Sequence, residues 1–337
     1  MKILVTGSAG FIGTHLIFTL HKEGHQLVGL DNLNIFSDKN LKLLRLNYQG
    51  IDHTNLVENK LTPSSKLKNY RFIKLDLAEE DSLLNLFQEE KFDAVCNLAA
   101  QAGVRASIDT PKVYIESNLI GFHNILECCR KYPVKHLVYA SSSSVYGANT
   151  KTPYSEKDKT DQPVSLYAAT KKANELLAYS YSSLFKIPAT GLRFFTVYGP
   201  WGRTNMAPFL FMKAIYENKP IKVFNNGEMS RDFTYIDDII NGIIKVLHKA
   251  PTEDTPHKVY NIGNSSPVNL MEFIATIENT MNKKAIKEYL PMQAGDVNIT
   301  YADTTALQKD FNYKPNTTLQ KGIQEFYNWF LKYYENK

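Results

Sequence analysis

Apolar positions in the first half of the chain fall into short, nearly continuous runs separated by longer stretches of helical periodicity. Lys2 to Thr6, Gln26 to Leu30, Arg71 to Leu75, Ala94 to Leu98 and His136 to Ala140 are such runs, and they read as strands. A strand that is apolar on both faces belongs inside a sheet covered by helices on both sides. The alternation therefore predicts an α/β protein with a doubly wound parallel sheet. Asn32 to Leu67 is too long for a simple connection, and the spacing of Leu41, Leu44 and Leu46 predicts a short helix within a polar insertion. After one more strand, Ala189 to Phe195, the alternation fails. Pro200, Gly202, Pro208, Pro220, Gly227, Pro251, Pro256, Pro267, Pro291 and Pro315 interrupt shorter elements from there on. The expected division is a larger domain over 1–192 and about 224–252, and a smaller C-terminal one over about 193–223 and 253–337.

Composition narrows the function classes. With 43% hydrophobic and 22% charged residues over 337 positions, the chain is an ordinary globular protein with ample core. Lys and Arg number 39 against 34 acidic residues, but they are scattered and form no basic stripe, so no nucleic-acid partner is expected. Cys96, Cys128 and Cys129 lie in apolar segments, without metal-ligand or disulfide spacing. No metal and a reducing, cytoplasmic setting follow. Met1 and Lys2 lead straight into the first strand, and no run reaches membrane length, so neither export nor a membrane partner is expected.

The first strand ends in Gly7-Ser8-Ala9-Gly10-Phe11-Ile12-Gly13, which opens a helix. Glycines permit the tight turn, and backbone amides at a helix start favour a pyrophosphate. The spacing is GxxGxxG, whereas the standard dinucleotide fingerprint is GxGxxG. Asp31, followed by Asn32, closes the second strand. A carboxylate there accepts hydrogen bonds from ribose hydroxyls and repels a 2′-phosphate, which favours NAD over NADP. Asp76-Leu77 and Asn97-Leu98-Ala99-Ala100 end the third and fourth strands at the same sheet edge, where adenine and its ribose would pass; Ala99 and Ala100 are small enough for close approach.

Tyr167 and Lys171 lie one helical turn apart in a periodic stretch from Ser165 to Phe185. A tyrosine near its reference pKa of about 10 is a poor base at neutral pH, and a neighbouring cation lowers that value. Tyr70/Lys74 and Tyr333/Lys337 share the spacing, but only Tyr167 follows the fifth strand and the serine run Ser141-Ser142-Ser143-Ser144, which ends in Val145-Tyr146-Gly147.

Together these features resemble the extended short-chain dehydrogenase/reductases that modify nucleotide sugars. Within that group, Gln101-Ala102-Gly103-Val104-Arg105, Phe195-Thr196-Val197-Tyr198-Gly199-Pro200-Trp201-Gly202-Arg203 and Arg231-Asp232-Phe233-Thr234-Tyr235-Ile236-Asp237-Asp238 are similar to runs of the UDP-glucuronate 4-epimerases. The resemblance implies an NAD-binding Rossmann domain followed by a nucleotide-sugar domain. It also implies reversible C4 epimerisation of UDP-glucuronate to UDP-galacturonate through a 4-keto sugar on tightly bound NAD. Ser142, Tyr167 and Lys171 would be catalytic, with Tyr167 and Lys171 also contacting the cofactor. Thr196, Arg203, Ser143 and Ser144 would restrain the sugar carboxylate, because a 4-ketone beside a carbon carrying a carboxylate is a β-keto acid that loses carbon dioxide readily. Arg231 and Asp296 would hold the UDP moiety, and Arg105 is a further substrate candidate. Ser144 stands where related decarboxylases and dehydratases carry an acidic residue, which favours return of the hydride. The near alternative is a UDP-glucose/UDP-galactose 4-epimerase, and a distant one is a nonenzymatic NAD sensor. By the same likeness, Pro111 to Arg130 and Ser165 to Phe185 would form the helix pair of a homodimer.

Overall fold

The computed structural model of the chain describes residues 1–34, 38–292 and 297–335. The chain divides into two compact units. One comprises Met1–Asn149, Asp158–Arg193 and Ile240–Tyr260; the other comprises Thr150–Lys157, Phe194–Ile239 and Asn261–Lys337.

The strands are β1 Lys2–Thr6, β2 Gln26–Asp31, β3 Leu61–Pro63, β4 Tyr70–Lys74, β5 Ala94–Asn97, β6 His136–Ser142, β7 Ala189–Phe194, β8 Thr196–Tyr198, β9 Pro220–Phe224, β10 Ser230–Tyr235, β11 His257–Ile262, β12 Pro267–Asn269 and β13 Ile286–Leu290. The large sheet runs β11-β7-β6-β5-β1-β2-β4-β3. Parallel pairing links β6, β5, β1, β2 and β4 in that order. The chain winds from β1 through β2 to β4, then returns to the other side of β1 to lay down β5 and β6. The strand order therefore reverses between β1 and β5, and their carboxyl ends, Thr6 and Asn97, lie in register. A doubly wound sheet places its ligand at this reversal.

Strand residues Leu4, Val28, Leu30, Val95 and Leu137 form one buried cluster with Leu83, Phe87, Phe122, Ile125 and Leu126 from the helices Glu80–Glu90 and Gly121–Lys131. Burying each such side chain contributes about 1.5–3 kcal/mol, which offsets the entropy of ordering the strands. The three cysteines are free and buried. Burial pushes the Cys96 and Cys128 thiols up to about 12, so both behave as apolar core groups.

The insertion after Asn32 contains the expected short helix, Lys39–Tyr48, capped by Asp38, whose side chain accepts from the Leu41 amide. It also carries an edge strand that its polar composition did not announce: β3 pairs antiparallel with β4. The segment from Pro111 to Lys131 is not one regular α-helix. Its middle, Ile115–Ile120, is a π-helix between the α-helical stretches Pro111–Tyr114 and Gly121–Lys131.

The second unit contains a three-stranded sheet, β12-β10-β8, and a two-stranded sheet, β13-β9. Its division from the first unit differs from the expected one. Residues 224–239 group with the second unit because β9 pairs with β13 and β10 pairs with β8 and β12; only 240–260 return to the first. Residues 150–157 also belong to the second unit, since the Tyr154 amide donates to Tyr301 O. Among the described residues, no helix is long and apolar enough to cross a membrane.

Candidate active site

The glycine loop follows β1 and leads into the helix Phe11–Lys22, with Gly10 at its cap. Gly7 has φ +68°, and a Cβ there would meet the Ala99 amide nitrogen at 2.9 Å. A Cβ on Gly10 would lie 2.8 Å from Gly7 O, and one on Gly13 would overlap the same oxygen. All three positions thus require glycine. No side chain caps this helix, and its first turn contains no acidic residue, so nothing there competes with an anion for the positive end of the dipole.

The insertion braces this loop from behind. Arg45 donates to Ala9 O at 3.2 Å; Gln49 donates to Ser8 O at 2.9 Å and to Thr14 Oγ1 at 3.1 Å, and accepts from Tyr70 OH at 2.6 Å. Asp31 is buried at the end of β2, where its carboxylate accepts from the Leu33 amide at 2.9 Å and from Lys42 Nζ at 3.2 Å. Asn32 donates to Asp76 at 2.7 Å, joining the ends of β2 and β4. Thr6 donates to Asn97 at 2.6 Å and accepts from the Ala99 amide at 3.1 Å, so the half-buried Leu98, Ala99 and Ala100 leave β5 from a fixed point, while buried Leu77 follows β4, beyond β1 and β2 in the sheet. A turn that excludes Cβ atoms, an uncapped helix start and a carboxylate at the end of the adjacent strand form a set of residues that fits NAD.

The second cluster surrounds the end of β6. Ser142 Oγ accepts from the Ser144 amide and donates to Ser144 Oγ, both at 3.2 Å, capping the short turn Ser143–Tyr146. Ser165 caps the helix Leu166–Phe185 by accepting from the Ala168 amide, which places half-buried Tyr167 in the first turn and Lys171 one turn later. Lys171 is almost fully buried and donates to Ala140 O at 2.9 Å, tying this helix to β6 two residues before Ser142. Burial pulls its pKa down to about 8.

Several groups that sequence reasoning missed hold this arrangement. Arg193 donates from Nε and Nη2 to the two oxygens of Glu175, each at 2.8 Å; Nη1 reaches Tyr146 OH at 3.0 Å, and Ser141 donates to Glu175 at 2.7 Å. Burial by itself would raise the Glu175 carboxyl, but the Arg193 hydrogen bonds and charge reverse that and hold it below the ordinary carboxylate range. Asn118, inside the π-helix, accepts from the Gln101 amide at 2.7 Å and donates to Gln101 O and Thr170 Oγ1, each at 3.0 Å. Its own carbonyl accepts from Asn174 at 2.7 Å. A buried asparagine on an otherwise apolar helical face was the available signal; the π geometry had none. Arg105 is exposed, at the start of the short helix Ala106–Asp109.

In the second unit, Thr196 opens β8 opposite Phe233 of β10, and Arg231 lies two residues earlier on β10. Arg231 is half-buried and donates to Ser230 O at 2.9 Å and to Asn298 O at 3.2 Å; Arg203 is half-buried in the loop after β8 and donates to Asn205 at 3.2 Å. Asp296 lies outside the described residues. Two carboxylates of the Arg231 to Asp238 run hold backbone: Asp232 accepts from the Asn264 and Ala302 amides, and Asp238 from those of Asn316 and Thr317.

Residues 3–263 match the NAD dependent epimerase/dehydratase family. The chain belongs to that family. Among relatives of this epimerase/dehydratase chain, Protein CapI of Staphylococcus aureus is 50% identical over 99% of this chain and 100% of its own length. UDP-glucuronate 4-epimerase 4 of Arabidopsis thaliana is 43% identical over 99% of this chain and 76% of its own. Among solved structures, the UDP-glucuronic acid 4-epimerase of Bacillus cereus in complex with UDP-glucuronic acid and NAD superposes with a TM-score of 0.88 at 32% identity, covering 99% of this chain and 100% of that one.

Proposed function

We infer that this chain interconverts UDP-glucuronate and UDP-galacturonate by epimerising C4 through a 4-keto sugar, with NAD retained throughout the cycle. The observation that carries the reading is the Lys171 to Ala140 hydrogen bond, which holds the Tyr167/Lys171 helix against the strand end bearing Ser142. Bound NAD supplies the acceptor for the hydride that leaves C4 and the donor that returns it. Tyr167, as phenolate, takes the proton of the 4-hydroxyl, and Ser142 Oγ hydrogen-bonds the same oxygen. The Lys171 ammonium stabilises the phenolate. Its pKa of about 8 leaves it mostly protonated at neutral pH and lets it lose that role in mild alkali.

For the cofactor, we assign Gly7, Gly10, Phe11, Ile12 and Gly13 to the pyrophosphate, and Asp31 with Asn32 to the adenosine ribose. Asp76, Leu77, Leu98, Ala99 and Ala100 are assigned to the adenine side. On the sugar, Ser143, Ser144, Thr196 and Arg203 restrain the C6 carboxylate, Arg231 and Asp296 bind the UDP moiety, and Arg105 is a further contact. An arginine fork suits this restraint because charge-assisted bonds to a planar carboxylate fix its direction. A carboxylate held out of alignment with the C4 carbonyl is not lost.

Exposed apolar residues on two helical stretches support a homodimer: Ile115 and Ile120 on one, Leu176, Tyr179 and Leu184 on the other. A cytoplasmic role in supplying activated sugar for polysaccharide synthesis completes the reading. Purified protein given UDP-glucuronate, UDP-glucose and UDP-xylose separately should form UDP-galacturonate from the first and no epimer from the others. Formation of UDP-galactose from UDP-glucose, with UDP-glucuronate untouched, would reassign the C6 specificity. Light scattering should give twice the chain mass.

A further inference from the structure

The geometry points to a divalent transition-metal site, of the zinc class, formed by Glu23, His25 and His248. The three side chains lie within the first unit and at its sheet's amino edge: His25 immediately precedes β2, whereas the glycine loop leaves the carboxyl end of β1. Glu23 Oε2 is 3.3 Å from His25 Nε2 and 3.1 Å from His248 Nε2, and one ligand atom from each of the three fits within 4.8 Å of the others. Two imidazoles and a carboxylate are a donor set that divalent zinc, cobalt and nickel accept. Metal–ligand bonds of about 2.0–2.2 Å separate neighbouring donors in a tetrahedron by about 3.3 Å, so both carboxylate–imidazole separations, including the one that is a His248–Glu23 hydrogen bond without the ion, are compatible with tetrahedral edges.

Two further observations favour a cation over a simple hydrogen-bonded cluster. His25 Nδ1 pairs with the Met1 amino group at 3.3 Å, and the other ring nitrogen, Nε2, is buried and makes no hydrogen bond, although Glu23 Oε2 is only 3.3 Å away. Proximity without hydrogen-bond geometry is what two donors of one ion show. Glu23 also caps the carboxyl end of the helix Phe11–Lys22, and His248 directly follows the helix ending at Leu247. Both helices therefore turn the negative ends of their dipoles towards the cluster, which favours positive charge there. Glu23 and His248 are partly open to solvent, with side-chain exposures of 34% and 41%, which leaves a path for the ion and a fourth position for water. A bound ion would tie together residues 225 apart and so act as a clasp on the first unit.

The test uses tag-free, chelator-treated protein, titrated with zinc chloride by calorimetry and with cobalt(II) by visible absorption. The expected result is one zinc per chain, intense tetrahedral cobalt bands, and a rise in the thermal midpoint on adding zinc. Affinity should fall at least tenfold in both Glu23→Gln and His248→Ala. His248→Ala should keep its turnover, which separates loss of the metal from loss of the fold. Absence of stoichiometric binding in the parent protein, or affinity unchanged in both variants, would overturn the assignment.

Discussion

The two units carry their candidate residues in different ways. In the first, Lys171, proposed for the hydride chemistry, and the groups around it are held by buried bonds: Lys171 to β6, Ser141 and Arg193 to Glu175 of the helix Leu166–Phe185, and Asn118 to the loop after β5. In the second, Thr196, Arg203 and Arg231, proposed to contact the sugar nucleotide, lie on three- and six-residue strands or in a loop, where Arg203 donates to Asn205 and Arg231 to the Ser230 and Asn298 carbonyls. Chemistry common to many nucleotide sugars demands positional precision and is placed on rigid elements. Selection among sugars needs only one or two polar groups, and short irregular segments carry them.

Four substitutions bear on this contrast, in falling order of expected effect. Tyr167→Phe removes the proton acceptor from the first unit, and turnover should drop about 10³-fold or more, with NAD retention and circular dichroism unchanged. Normal turnover would sink the assignment. Glu175→Ala leaves the Arg193 guanidinium buried without its carboxylate and should cost about 3–5 kcal/mol in urea-unfolding free energy. A loss below 1 kcal/mol would mean that the network does not hold the site. Arg203→Ala, in the second unit, should leave stability within about 0.5 kcal/mol. It should lower kcat/KM for UDP-glucuronate about 10- to 100-fold, with UDP-xylose appearing as a by-product, because loss of a charged hydrogen bond to the carboxylate costs about 1.5–3 kcal/mol. Asp31→Ala should weaken NAD retention about tenfold, read by fluorescence titration of the stripped protein, because it removes the ribose acceptor.

The pH profile sharpens the same contrast. Lys171 has a folded pKa lowered to about 8, so its ammonium is present below that value and lost above it. Turnover should fall as pH rises through about 8, while binding of UDP-glucuronate, proposed to depend on arginines that stay charged, should not. A profile flat to pH 9.5 would show that the ammonium does not support the phenolate.

The contrast also explains what was legible in the sequence. The strands of the first half and the glycine loop were readable because apolar runs and a turn that excludes Cβ leave direct marks, as Gly13 does against Gly7 O. Tyr167 and Lys171 stand out because, of three tyrosines with a lysine four residues later, Tyr167 follows a strand and a serine run. Glu175, Arg193 and Asn118 were not found, since each partner is distant in sequence and a buried ion pair has no local pattern. β3 was hidden in a polar insertion whose pairing depends on β4. The domain return was placed too early because β9 and β10 look like ordinary strands until their partners in the second unit are known.

The central claim, that the hydrogen at C4 leaves and returns within one bound sugar, is tested most directly with UDP-glucuronate deuterated at C4, incubated in ordinary water. The account predicts UDP-galacturonate that retains the deuterium at C4 through repeated turnovers. Product carrying solvent hydrogen at that carbon would contradict it.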